Sequence, residues 1–164
     1  MSVKQNTLLS LLVVLLLAVI SAVAVYKTWP MLFPKIYISA DVDPSCDLRA
    51  GPCTSPLPDG ASVTLSITPR SIPVVHPLHF EVDLVGLEAK GVQIDFSGVD
   101  MNMGFNRPAL KEQSPGRYTG DGRLPVCVRD AMEWEARVLI ETDEGLVSAP
   151  FRFITVKPGM QVPG

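Results

Sequence analysis

The stretch SVTLSIT, residues 62–68, decides the fold. Val63, Leu65 and Ile67 alternate with Ser62, Thr64, Ser66 and Thr68. An apolar period of two places one side of the chain on a core and the other in water, the signature of a half-buried β-strand. The same period returns downstream. Leu78, Phe80, Val82 and Leu84 alternate with His79, Glu81 and Asp83; Val92, Ile94 and Phe96 alternate with Gln93, Asp95 and Ser97. Trp134, Ala136, Val138 and Ile140 alternate with Glu135, Arg137 and Leu139, and Phe151 and Phe153 flank Arg152. Residues 36–42, the Tyr118 region and residues 124–128 follow the pattern less cleanly. Turn residues separate the runs: Pro58-Asp59-Gly60, Pro69 to Pro73, Pro115-Gly116 and Asp143-Glu144-Gly145. No long amphipathic helix pattern follows residue 35. Seven or so short strands with turns between them predict an all-β fold, an immunoglobulin-like antiparallel β-sandwich over residues 36–156, with a barrel as the second arrangement.

Working back towards the N-terminus, the composition changes. Leu8 to Val25 reads LLSLLVVLLLAVISAVAV, with no charge and no proline, and all 15 prolines lie at position 30 or later. As a helix, 18 residues reach about 27 Å, near the thickness of a bilayer's hydrocarbon core. Tyr26 and Trp29 follow where interfacial aromatics are expected. This predicts a transmembrane anchor over residues 8–28, after a tail at 1–7 and before a linker at 29–35 that contains Pro30 and Pro34. The competing reading is a cleaved signal peptide, with Lys4 as its positive region and Ala22-Val23-Ala24 as its processing site. Residues 157–164 form a C-terminal tail.

Charge excludes one class of partner. All 17 acids but only 11 of the 14 bases lie in residues 36–164, a net charge of −6. That is the wrong sign for a nucleic-acid footprint. Orientation is not set by charge, because Lys4 stands before the apolar run and Lys27 and Lys35 after it. The cysteines give the direction. Cys46 and Cys53 flank a turn at Gly51-Pro52, and closing that loop as a disulfide suits an oxidising compartment, the alternative being two unpaired thiols in a reducing cytosol. In a bacterium the chain is then a single-pass inner-membrane protein with its domain on the periplasmic side.

Catalytic motifs are missing: there is no Gly-rich phosphate loop, no H-E-x-x-H and no C-x-x-C, and the protein reads as a non-enzyme. The two histidines, His76 and His79, point to opposite faces of an extended chain, and His79 lies on the polar face of its strand. Three cysteines cannot all pair within one chain, so the partition is a Cys46–Cys53 bridge with Cys127 free. The segment Asp100-Met101-Asn102-Met103-Gly104-Phe105 follows the strand that ends near Phe96. Continued without a bulge, the strand places Met101 and Met103 on the polar face with Gln93, Asp95 and Ser97. A bulge at Gly98 sends them inward instead. Thioether and thiolate donors select Cu(I) over hard cations. Met101, Met103, Cys127 and Met132 are therefore the candidate metal ligands, with core packing as the alternative role of the methionines.

The chain is similar in layout to the FixH-like and YtkA-like families of membrane-anchored extracytoplasmic β-sandwich proteins. The resemblance rests on the apolar Leu8–Val25 segment, the strand set, the Met101-Asn102-Met103-Gly104 stretch and the strand pair from Trp134 to Phe153. It implies an accessory protein of cytochrome oxidase assembly that binds or delivers Cu(I), with a respiratory oxidase or its assembly proteins as partners beside the lipid bilayer. From the resemblance only Met101 and Met103 take a role, as the methionine-rich stretch. This sequence departs from the families in having no histidine near Met101 and in carrying Cys46, Cys53 and Cys127. The alternative function is a metal-free, membrane-anchored interaction domain of a larger complex.

Overall fold

Among the described residues the chain forms nine strands, and their order shows how the core closes. The computed structural model describes residues 3–32, 36–101, 103–126 and 129–157, with helix side chains described from residue 10 to residue 29. The chain divides into two compact units, residues 1–35 and residues 36–164.

The first unit is helix α1, Val3–Leu32. Its segment Ser10–Trp29 has a mean hydropathy of 2.4, long and apolar enough to cross a membrane or to serve as a signal sequence. The helix continues through Pro30 to Leu32, past the linker start expected at residue 29. Proline's fixed φ is helical, so near a helix end it removes one hydrogen bond without forcing a stop. An uncleaved anchor predicts that the protein sediments with membranes and keeps its N-terminal residues. A mature N-terminus near Val25, read by terminal sequencing, would identify the cleaved signal peptide.

In the second unit the strands are β1 (Ile36–Ser39), β2 (Cys53–Pro56), β3 (Ser62–Thr68), β4 (Leu78–Val85), β5 (Gly91–Gly98), β6 (Ala109–Ser114), β7 (Arg117–Gly122), β8 (Ala131–Glu141) and β9 (Leu146–Val156). They form one sheet in the order β1-β9-β8-β5-β6-β7-β4-β3-β2. Two features depart from the expected two-layer antiparallel arrangement. The sheet is continuous, because β6 is shared: Ala109 and Leu110 pair with β5, while Lys111 onward pairs with β7. In addition, β1 lies parallel to β9, so the sheet is mixed. The sheet curls into a half-barrel, and its concave face holds the core.

The curl has local causes. A register shift between Glu112 and Ser114 bends β6 against β7. In β7, a Cβ at Gly122 would lie 2.8 Å from Phe80 Cε2, so only glycine lets the Phe80 ring cross this strand. Phe80 then meets Phe96 with ring centroids 5.1 Å apart, and Phe96 meets Phe153 edge-on at 6.5 Å. These contacts join β4, β5 and β9 across the concave face. All the alternating apolar residues named for β3, β4, β5 and β8 are buried, as are Phe151 and Phe153. The Trp134 indole N–H donates to Thr155 Oγ1 at 2.9 Å, which satisfies its one polar atom inside the core. Tyr118 is buried as well; burial first, and then the Glu112 carboxylate, pushes its phenol up.

The strand directions give the domain two ends. The chain enters at Ile36, which is in register with Leu146 at the start of β9. The β4–β5 and β8–β9 connections lie at this entry end. Residues 69–77, 99–108 and 123–126 lie at the opposite, distal end, beyond Thr68, Gly98 and Gly122.

Candidate functional site

The candidate donors from the sequence converge in part at the distal end. Strand β5 stops at Gly98, and residues 99–108 then run back to β6. Two backbone hydrogen bonds guide the return, Phe96 N–H to Asn106 O and Ile94 N–H to Pro108 O, both 3.0 Å. The period of two therefore does not carry past Gly98, and of the two placements the sequence leaves open for Met101 and Met103 the inward one is nearer to what is found. Both are half-buried and pack against the core.

Gly98 explains the change. A Cβ there would lie 2.3 Å from Met132 Cε, 2.6 Å from Met101 O and 3.4 Å from Met101 Cγ. The missing side chain leaves room beside Gly98 for the Met132 methyl and for the Met101 backbone, with the Met101 side chain next to it. Met132 is only 5% exposed and belongs to the core, while Met101 and Met103 lie on its rim. Three of the four candidate donors thus share one end of the sheet. Cys127, the fourth, lies outside the described residues. Among the described residues, no three His, Cys, Asp or Glu side chains gather to hold a metal ion.

Around the methionines is an ordered polar frame. Arg107 Nη2 donates to Asp95 Oδ2 at 3.0 Å, and its guanidinium stacks 4.9 Å from the centre of the Phe105 ring. Arg129 reaches Asp100 at 3.4 Å. Phe105 itself is 82% exposed. A surface depression here is lined by Ser97, Gly98, Met101, Gly104, Phe105 and Arg107, among others. Sequence reading missed Phe105 and Arg107. An aromatic two residues before an arginine is an available cation–π pair, but only the turn at Gly104, with φ of 81°, stacks one on the other.

Cys46 and Cys53 form a disulfide with a Cα–Cα distance of 5.7 Å. The loop that leads to Cys46 is ordered by Asp43, whose carboxylate accepts from the Ser45 hydroxyl at 2.6 Å and the Ser45 N–H at 2.8 Å. Those bonds hold Asp43 below the usual carboxylate range, the hydroxyl contributing most. A cleft separates this loop from Glu133, Arg152 and Phe153. His79 lies on the outer face of β4, exposed as expected, with its Nδ1 2.9 Å from Asp121 Oδ1.

The apolar helix and the disulfide together are consistent with an extracytoplasmic domain. No family model, curated protein or solved structure matches this chain.

Proposed function

We propose that the protein is a membrane-tethered accessory domain that binds Cu(I) through its distal methionines. In this reading α1 is the uncleaved anchor of a bacterial inner-membrane protein, and the curled sheet acts as an immunoglobulin-like sandwich on the periplasmic side. The two limbs of the sheet, which meet at β6, serve as its two layers. The observation that carries the proposal is the convergence of Met101 and Met132 over Gly98 with Met103 on the same rim. Thioethers carry no proton to lose, and two of the three are half-exposed, so the rim can take up a soft ion and release it. Delivery to a respiratory oxidase or its assembly proteins follows from the family resemblance.

A second reading is favoured by the burial of Met132. A methionine that is 5% exposed is accounted for by packing alone. If Met101 and Met103 also serve only to fill the end of the core, the domain is a metal-free interaction module.

Competition with a Cu(I) chelator separates the two. The double variant Met101→Leu/Met103→Leu roughly conserves volume and should fold. Its Cu(I) affinity is expected to fall by about tenfold or more, equivalent to roughly 1.4 kcal/mol or more. Wild-type binding should persist below neutral pH, because thioethers do not protonate there, unlike a thiolate with a free pKa of about 8.5. Unchanged affinity in the double variant, or no specific binding by the wild type, leaves the interaction module as the function.

A further inference from the structure

We propose that the open edge of β9 takes up an extended peptide with basic residues as an added strand. The site does not depend on copper. Strand β9 runs from Leu146 to Val156, but β1 pairs only with Leu146, Val147 and Ser148. The last backbone bond on that side is Ala40 N–H to Ser148 O at 2.8 Å. The chain then leaves β9, and among the described residues no backbone hydrogen bond joins 41–52 to 149–156.

Parity tells which groups are left open. A strand residue points its N–H and C=O to one side, and the next residue points them to the other. Ser148 faces β1, whereas Lys157 N–H faces the opposite way, to Asp130 O at 2.9 Å, just before β8. The register of β8 with β9 is unbroken from Ala131 and Val156 to Glu141 and Leu146, so parity holds along the whole strand. Even-numbered residues of β9 therefore face away from β8. Pro150, which has no N–H to offer, stands at one of these positions, where proline removes no ladder bond. Arg152 and Ile154 follow, each with an N–H and a C=O that no strand meets.

Both residues line a cleft of about 370 Å³, inside the roughly 300–1,000 Å³ of small-ligand clefts. Val42, Pro44 and Arg49 form its facing wall. An open strand edge beside a groove is the form in which extended peptides are captured: main-chain bonds supply affinity and the groove supplies selection. Here the selection is by charge and by one donor. The 40–52 segment carries Asp41, Asp43 and Asp47 against Arg49. Ser45 engages Asp43, and the Arg49 N–H engages Asp47, but these donors are neutral and leave both charges in place. Glu133 and Arg152 lie 3.7 Å apart and offset each other. The cleft is therefore anionic and matches Lys or Arg side chains. Arg49 adds the donor: its Nε is buried and has no hydrogen-bond partner among the described residues. A peptide carbonyl satisfies that N–H without adding a charge. A small cation would leave the edge N–H groups unmet, and a carboxylate ligand would meet the aspartates.

The test uses the full-length chain in phosphatidylcholine nanodiscs and a fluorescent, end-blocked peptide, Lys-Val-Thr-Val-Lys. Anisotropy should report its binding. Affinity should be at least about tenfold lower for Glu-Val-Thr-Val-Glu, and for the lysine peptide with all its backbone nitrogens methylated. In the free protein the amides of Arg152 and Ile154 should exchange fast and those of Phe151 and Phe153 slowly; added peptide should slow the first pair. Ile154→Pro removes one open N–H and no bond to β8. It should keep the wild-type circular dichroism yet weaken binding by about tenfold or more. If that variant misfolds, the exchange pattern of the wild type decides alone. The proposal is overturned by no binding of the lysine peptide at millimolar concentration, by equal binding of the glutamate peptide, or by protection confined to other amides. It is also overturned if Arg152 and Ile154 become protected as protein concentration rises without peptide, the result for a second copy of the chain on this edge.

Discussion

Phe80→Ala is expected to destabilise the β-domain by about 3–5 kcal/mol, a large share of the roughly 5–15 kcal/mol that a whole domain has. The reasons are specific to this ring. Phe80 is fully buried, touches Phe96 across the concave face and lies over Gly122 in β7. Its removal opens a cavity at the point where three strands depend on one side chain. The cavity is bordered by a glycine, which has no side chain with which to fill it. Neighbouring Glu81 is in register with Ser66 on one side and Thr119 on the other, and it faces outward. Its carboxylate lies 3.1 Å from Arg117, a cation that Asp83 also holds at 2.8 Å. Glu81→Ala is therefore expected to cost about 1 kcal/mol or less, as for exposed ion pairs generally. Urea denaturation of both variants checks the contrast. Equal losses at the two positions would mean that the inward and outward faces of β4 are assigned wrongly.

The strands that were legible in the sequence are those for which one face is dry and the other wet. In β3, β4, β5 and β8 the period of two was sufficient, because burial on these strands follows the alternation almost residue by residue. Strand β6 was not legible. It reads ALKEQS, and only Leu110 is buried, because this strand turns the corner of the curled sheet and offers the core a single residue. Strand β2 was missed for a related reason: it is a four-residue edge strand whose pattern, Cys53 and Ser55 inward, includes a polar residue. Residues 124–126 looked like a strand, but Leu124 is instead a buried anchor at the base of an irregular segment. The site was half legible. The methionine spacing drew attention to the end of β5, whereas their orientation depended on where the strand stopped, which is at Gly98. The open edge of β9 was not legible at all. It depends on where the chain leaves that strand, after the bond from Ala40 to Ser148.

Replacing both cysteines, as Cys46→Ala/Cys53→Ala, is expected to lower stability by about 2–3 kcal/mol, the chain-entropy value for so short a loop. The location gives this bond more than a local role. Strands β1 and β2 are the two opposite edges of the sheet, and residues 40–52 must pass from one to the other. The disulfide closes the last part of this crossing, where Leu48 is 1% exposed and enters the core. Arg70 Nη1 also reaches the segment from afar, donating to Ala50 O at 2.9 Å. With the bridge removed, Leu48 should become the weakest of the core residues, and hydrogen exchange at Ala50 and Gly51 should rise before exchange in β4 or β8. Their N–H groups bond only within the loop, to Asp47 O. Reductant should lower the stability of the wild type to that of the double variant and leave the variant itself unchanged. Thiol labelling of the unreduced, unfolded chain should modify Cys127 alone. A peptide map that joined Cys53 to Cys127 would remove the closed loop and, with it, the free thiol.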